Sequence, residues 1–429
     1  MGFRALCNTV LLGTTLVACT TFPGSTIEPF PFPEGIHWEA QPKPKTGVWT
    51  SMVSGIATDL ALTRDGSAAL IATIPDPERE GPHDYRLVRY RRTLNGASLR
   101  YQVQWSKSFK NKVRALDLSE DGRFAVMNNY SDELIAFAAS GKQIWKVRGS
   151  CRPKILAEAK LVVCFHDDDA DPDTAFTLFS LNRGEKVAQF PAPGDVLGLK
   201  TSPDQKWIAI ALSGSRAAAT LTRSRVALYD VARRDSVWEQ EMEGEFLDFA
   251  ISPVGSDRTD MPPSVAVLTA AYGSKAKPGA SRKSRLRIWD RLGKRDQDIE
   301  FPAESIEFSS HGEGVYIYGN APTGQSLAFL EIGKPAPRWH RGIPNQADFA
   351  GSLLSTPEGV ISSFEEIENG TRKIRWIEVR SDGKILARRD LPITEGAYLY
   401  VMGLSSDGLT AWFLSDNGLI GAFKRSVGF

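Results

Sequence analysis

Leu118-Ser119-Glu120-Asp121-Gly122-Arg123-Phe124-Ala125-Val126-Met127 places a tight turn between two apolar strands, and the pattern recurs along the chain. Leu62-Thr63-Arg64-Asp65-Gly66 leads to Ala68-Ala69-Leu70-Ile71, and Thr201-Ser202-Pro203-Asp204 leads to Trp207-Ile208-Ala209-Ile210. Phe308-Ser309-Ser310-His311-Gly312 precedes Val315-Tyr316-Ile317-Tyr318, and Leu404-Ser405-Ser406-Asp407-Gly408 precedes Ala411-Trp412-Phe413-Leu414. Weaker copies stand at Ile251-Ser252-Pro253 and Leu354-Ser355-Thr356-Pro357. Asp-Gly or Pro-Asp after a hydroxyl supplies the φ values and side-chain hydrogen bonds of a tight turn. The flanking runs are continuously apolar, as strands buried on both faces are.

A third strand follows each hairpin, as at Leu134–Phe137, Phe176–Phe179, Val226–Asp230 and Leu286–Asp290. A polar turn then leads to a fourth, in several copies carrying a tryptophan: Trp145, Trp238 and Trp339. The hairpin Lys154–Leu156 to Leu161–Val163 lacks Asp-Gly but falls in phase. Turns near 65, 121, 158, 204, 254, 311, 357 and 407 recur about every 49 residues. Four strands at that period predict an all-β fold, a single β-propeller of eight blades, with seven the alternative if one weak copy is irregular. The last repeat has only three strands, so Gly47–Val53 is the expected donor of the fourth. Such closure removes exposed sheet edges.

Hydrophobic residues make up 42% of the chain and charged residues 24%, enough for a large core and a solvated surface. The 52 Lys+Arg against 51 Asp+Glu lack the basic excess of a nucleic-acid binder. Behind Arg4, the run Val10–Ala18 is about half the length of a membrane-spanning helix and reads as a signal h-region, and no later run is long enough to span a bilayer. Expected boundaries are 1–18 for the signal peptide, 19–46 for a Pro-rich tether and 47–429 for the propeller. Pro23, Pro29, Pro31, Pro33, Pro42 and Pro44 make the tether extended and semi-rigid.

Leu16-Val17-Ala18-Cys19 resembles the lipobox of bacterial lipoprotein precursors, the alternative being an ordinary secretory signal cleaved nearby. The resemblance implies cleavage before Cys19 and acylation of that residue; several acyl chains hold firmly where one is reversible. Thr20 is not the Asp that would resemble an inner-membrane retention signal, so the expected address is the periplasmic face of the outer membrane. Gly141-Lys142-Gln143-Ile144-Trp145 resembles the repeat of pyrroloquinoline-quinone-type propellers, while Tyr229-Asp230 and Trp289-Asp290 resemble WD-repeat strand ends. Eight blades behind a lipobox resemble the propeller lipoproteins of the outer-membrane β-barrel assembly machinery, the BamB family. That implies a scaffold for envelope proteins, including barrel-assembly subunits, with the membrane reached through the N-terminal lipid.

Cys151 and Cys164 flank one hairpin, so an oxidising compartment would allow a disulfide between neighbouring strands, or leave two buried thiols. Asp167, Asp169, Asp171 and Asp173 alternate as in calcium loops, but Pro172 replaces the turn glycine and Leu178 the closing glutamate. A solvated loop is the favoured reading and no cofactor is expected. Lys275, Lys277, Arg282, Lys283 and Arg285 form a basic insertion, either a plain surface loop or a contact for anionic headgroups, peptidoglycan or an acidic partner. Pro75–Tyr85 and Ser213–Ser224 are further insertions, and on propellers such loops gather on one face. Five scattered histidines without zinc spacing, and no Gly-x-Ser-x-Gly elbow, argue against an enzyme. The expected function is therefore a lipid-anchored protein-binding scaffold. The alternatives are a carbohydrate- or peptidoglycan-binding propeller and a quinone- or calcium-dependent periplasmic enzyme.

Overall fold

Strands whose two faces are both apolar need a neighbour on each side, and eight four-stranded antiparallel sheets supply one another with that cover. The computed structural model describes residues 48–425 except 54, 76–83, 96–97, 166–173, 192–195, 213–222, 254–261, 271–283, 302, 322–323, 344–352, 369–370, 392 and 394–398. Among these residues there are thirty-two strands and no helix. Blades 1 to 7 span 56–109, 113–148, 152–191, 196–243, 245–300, 305–343 and 353–390, each pairing its strands in sequence order. Blade 8 joins 399–404, 410–415 and 419–424 to Trp49–Met52, so eight blades, not seven, close the wheel. Trp49 pairs with Ala422 and Met52 with Leu419, antiparallel as in every other blade.

First strands of successive blades touch one another and ring the axis, as in blades 1 and 2, 2 and 3, and 8 and 1. Second strands such as Trp207–Leu212, Val265–Ala270 and Thr410–Ser415 are buried along their whole length. Fourth strands such as Asp235–Glu243 are largely exposed and form the outer rim. The core is correspondingly divided into eight apolar clusters, one between each pair of adjacent blades. Phe176, Leu178 and Phe190 of blade 3, for example, pack on Ile208, Ile210 and Tyr229 of blade 4.

The turn pattern has one hydrogen-bonded form. Ser119 Oγ accepts from the Phe124 amide at 2.9 Å and donates to Asp121 Oδ1 at 2.8 Å, while Asp121 Oδ1 accepts from the Arg123 amide at 2.9 Å. Thr63, Ser202 and Ser405 repeat the arrangement with Asp65, Asp204 and Asp407. Each of these hydroxyl residues is buried, so the bonds satisfy strand-end amides that water cannot reach. In blade 6 Ser309 donates to Glu313 Oε2, and His311, which stands in the aspartate's place, is exposed. Blade 3 closes through Lys160 at φ 55°.

Tryptophans of fourth strands reach into the following blade. The Nε1–H of Trp105, Trp145 and Trp339 donates to the carbonyls of Ala139, Leu181 and Ser381 at 2.9, 2.7 and 2.8 Å. Each ring, and that of Trp238, lies on a glycine of the next blade's third turn: Gly141, Gly184, Gly383 and Gly293 respectively. At Gly141, φ is +83° and an added Cβ would come within 2.9 Å of Trp105 Cγ, so both backbone and contact select glycine. The Gly-Lys-Gln-Ile-Trp run thus serves two interfaces, Gly141 receiving Trp105 from blade 1 and Trp145 extending to blade 3. Gly141→Ala is expected to lower the stability of the wheel by about 1–3 kcal/mol in urea titration. Trp105→Phe, which keeps the ring but loses the N–H donor, should lower it by roughly 1 kcal/mol.

Candidate functional site

Because the strands alternate in direction, every first-to-second and third-to-fourth turn lies on one face of the wheel. The second-to-third links and the connections between blades lie on the other. Six connections of eight or more residues begin and end there: between Ile74 and Tyr85, Phe165 and Thr174, Leu212 and Arg223, Ala270 and Ser284, Ile343 and Leu353, and Asp390 and Leu399; a seventh, from Ile251 to Val265, lies on the turn-bearing face. Most of the residues of these links lie outside the described residues, Asp167, Asp169, Asp171, Asp173, Lys275, Lys277, Arg282 and Lys283 among them, as does Cys19. Arg285 differs from its expected place. It stands on a strand opposite Thr269, its Nε 2.5 Å from Asp298 Oδ1, so it belongs to the sheet of blade 5 and not to the basic insertion. Among the described residues no group of three or more His, Cys, Asp or Glu could hold a metal ion.

Cys151 and Cys164 are bonded, with Cα atoms 5.3 Å apart, both fully buried in the cluster between blades 2 and 3. They are not directly opposite. Cys164 pairs with Pro153, and Cys151 sits two residues earlier, where the chain enters the strand. The bridge therefore ties an inter-blade connection to a strand.

Carboxylates on the first strands form the second notable arrangement. An innermost strand exposes unpaired amides along its inner edge. Asp59 Oδ2 accepts from the Leu116 amide of blade 2 at 3.2 Å, and Asp117 Oδ2 accepts from the Ile155 amide of blade 3 at 2.7 Å. Asp248 Oδ2 accepts from the Ile306 amide of blade 6 at 2.9 Å. Asp59 and Asp248 occupy the same position in blades 1 and 5, opposite one another in the ring, each just after a break in pairing register. Lys154 Nζ reaches Asp117 Oδ1 at 3.0 Å, and Lys200 Nζ lies 3.7 Å from Asp248 Oδ1 and 3.5 Å from Glu307 Oε2. Ringed by protein, Lys154 still keeps 46% of its side chain open to solvent, as a residue lining a narrow aqueous axis does.

These contacts set the charge states. Asp117 holds the Lys154 ammonium above its ordinary value. Burial pulls Lys200 down, but Glu307 and Asp248 more than offset it and the group ends raised. Burial pushes Glu307 up, against Lys200. Asp59 is pushed to about 6 by burial, with Asp117 adding to the rise while the Leu60 and Leu116 amides and Arg152 oppose it. The axis is thus a set of staples between neighbouring blades. The sequence reading missed them, although a single aspartate interrupting an apolar strand, as in Leu116-Asp117-Leu118, was the available signal.

No protein-family model matches the chain, and no curated protein matches it in sequence. Solved structures do resemble it. The propeller of Dos1 has a TM-score of 0.60 at 10% identity, covering 88% of this chain and 95% of that one. The C-terminal WD40 domain of Sif2 has 0.56 at 12%, covering 87% and 98%. A chain of Kuenenia stuttgartiensis hydrazine synthase has 0.50 at 16%, covering 90% and 100%. At these identities the likeness is one of fold, a WD40-like β-propeller.

An Asp whose folded value is raised favours its protonated form. Its contribution to stability is full below about 4 and is lost as pH rises through about 6. Glu307 has the same sign. Asp59→Asn, which keeps the acceptor for Leu116, should flatten the fall in thermal midpoint between those values. Asp59→Ala should destabilise throughout by about 1–3 kcal/mol, because the Leu116 amide loses its partner. Replacing Cys151 and Cys164 together by alanine should cost roughly 3 kcal/mol in denaturant unfolding, the chain-entropy value for a loop of this length.

Proposed function

We propose that this chain is a lipid-anchored scaffold of the bacterial envelope. Acylated at Cys19 on the periplasmic face of the outer membrane, it offers the link-bearing face of its propeller to other envelope proteins, barrel-assembly subunits among them. The observation that carries the reading is the asymmetry of the wheel: of the seven connections of eight or more residues between described strands, six leave one face, while the other carries only that from Ile251 to Val265 among short turns. A rigid ring with one variable surface suits recognition, because function concentrates in loops held by a stiff frame. The buried Cys151–Cys164 bridge supports an oxidising compartment, where disulfides persist. The lipobox-like Leu16-Val17-Ala18-Cys19 supports the anchor. Anchoring raises the local concentration of each partner without any new contact.

Mass spectrometry of the membrane fraction should find Cys19 carrying acyl chains, and Cys19→Ser should release the protein from that fraction. Crosslinking from intact membranes should recover barrel-assembly subunits with the wild type and several-fold less with Cys19→Ser. Sugar binding with no envelope protein recovered would replace this reading with a peptidoglycan binder.

A further inference from the structure

The chain has nearly equal numbers of acidic and basic residues, yet residues 85–112 contain eight Lys or Arg and no Asp or Glu. That stretch is the outer hairpin of blade 1, whose strands Tyr85–Asn95 and Ser98–Phe109 are 11 and 12 residues long. The second strand stops pairing at Ala68–Arg91, whereas the hairpin continues to Asn95–Ser98. Its last four pairs run on past the second strand as a two-stranded arm on the turn-bearing face.

Several of its cations are engaged, Arg89 and Arg92 among them. Arg89 Nη2 donates to the Gly122 carbonyl at 2.5 Å, and Arg92 lies 3.8 Å from Asp65. Arg91 and Arg100 are different. They share one side of the hairpin through the pairs Arg91–Gln102, at the base of the arm, and Thr93–Arg100, within it; both are exposed, and neither forms an ion pair among the described residues. Lys142, on the third turn of blade 2, and Lys424, at the end of the third strand of blade 8, are exposed on the same face, on either side of the arm.

The arm also marks where the N-terminal segment joins the ring. Trp49 enters at the turn-bearing end of blade 8, and its ring centroid lies 5.2 Å from that of Tyr101, next in sequence to Arg100. We propose that Arg91 and Arg100, with Lys142 and Lys424 beside them, form a docking surface for an anionic phospholipid bilayer. This rests on the anchored reading above, which makes a membrane the nearest large anionic surface to the point where residue 49 enters. Cations near such a surface attract phosphate headgroups over a Debye length, and the attraction weakens with salt. The link-bearing face is then turned away from the membrane, toward partners.

The test is co-sedimentation of the full-length Cys19→Ser chain with vesicles of phosphatidylcholine alone or with roughly one-third phosphatidylglycerol. The leader is common to every variant, so the arm is read from the increment that phosphatidylglycerol adds. Each cation at the surface is worth about fivefold in binding, so Arg91→Gln with Arg100→Gln should reduce that increment by roughly 25-fold at low salt. Both positions are exposed, and an unchanged thermal midpoint verifies the fold. Binding that ignores phosphatidylglycerol, or an increment equal in the double variant, overturns the proposal. So does unchanged vesicle binding together with loss of an acidic protein partner, which makes the arm a protein contact. An unacylated Cys19 in native membranes would refute the anchor without altering the vesicle result, so the two failures are separable.

Discussion

Each blade of this protein is apolar on both faces and cannot be stable alone, so every sheet depends on a neighbour at each side. A linear stack would leave two such faces in water; a ring leaves none. The eight apolar clusters are that requirement made visible, since each draws its side chains from two adjacent blades. The final interface depends on four residues, Trp49–Met52, which complete blade 8. Trp49 is held there by edge-to-face or tilted contacts with Tyr90, Tyr101 and Trp412 at 5.6, 5.2 and 5.5 Å. Aromatic pairs of this geometry add to what area burial supplies.

Polar groups complete what the apolar clusters begin, at two radii. Near the rim, tryptophan N–H groups donate to carbonyls of the following blade over glycine turns. Near the axis, Asp59, Asp117 and Asp248 accept edge amides of the following blade. Between blades 7 and 8 a buried Arg425 bonds Glu378, Glu358 and the Gly408 carbonyl. A buried ion pair is weak evidence for net stability, but losing one partner strands the other, so such a site fixes which blade meets which.

The architecture was legible because its signal is periodic. Ser-x-Asp-Gly turns and unbroken apolar strands leave few alternatives, and the closing strand followed from a last repeat with three strands. Trp105 was overlooked because its blade has an elongated hairpin that shifts the tryptophan out of phase. The pairing of Trp with the next blade's glycine is a contact between repeats, invisible when each repeat is read singly, although Gly141-Lys142, Gly293-Lys294 and Gly383-Lys384 recur. The expected acidic run and most of the basic insertion fall outside the described residues, so Arg285 is the one member whose placement changes. The axial carboxylates follow from a geometric fact that composition does not carry: an inner strand presents free amides to the axis.

Closure by Trp49–Met52 also imposes an order of events. The partner of Trp49 is Ala422, so the earliest strand of the wheel waits for almost the last before it can pair. Contacts of such wide separation are slow to form, because the intervening chain must be organised first. During synthesis one face of the apolar sheet of blade 1 therefore lacks its cover until blade 8 has emerged. An open chain with uncovered strands is prone to association, so the seam leaves this protein open to that hazard until its two ends meet.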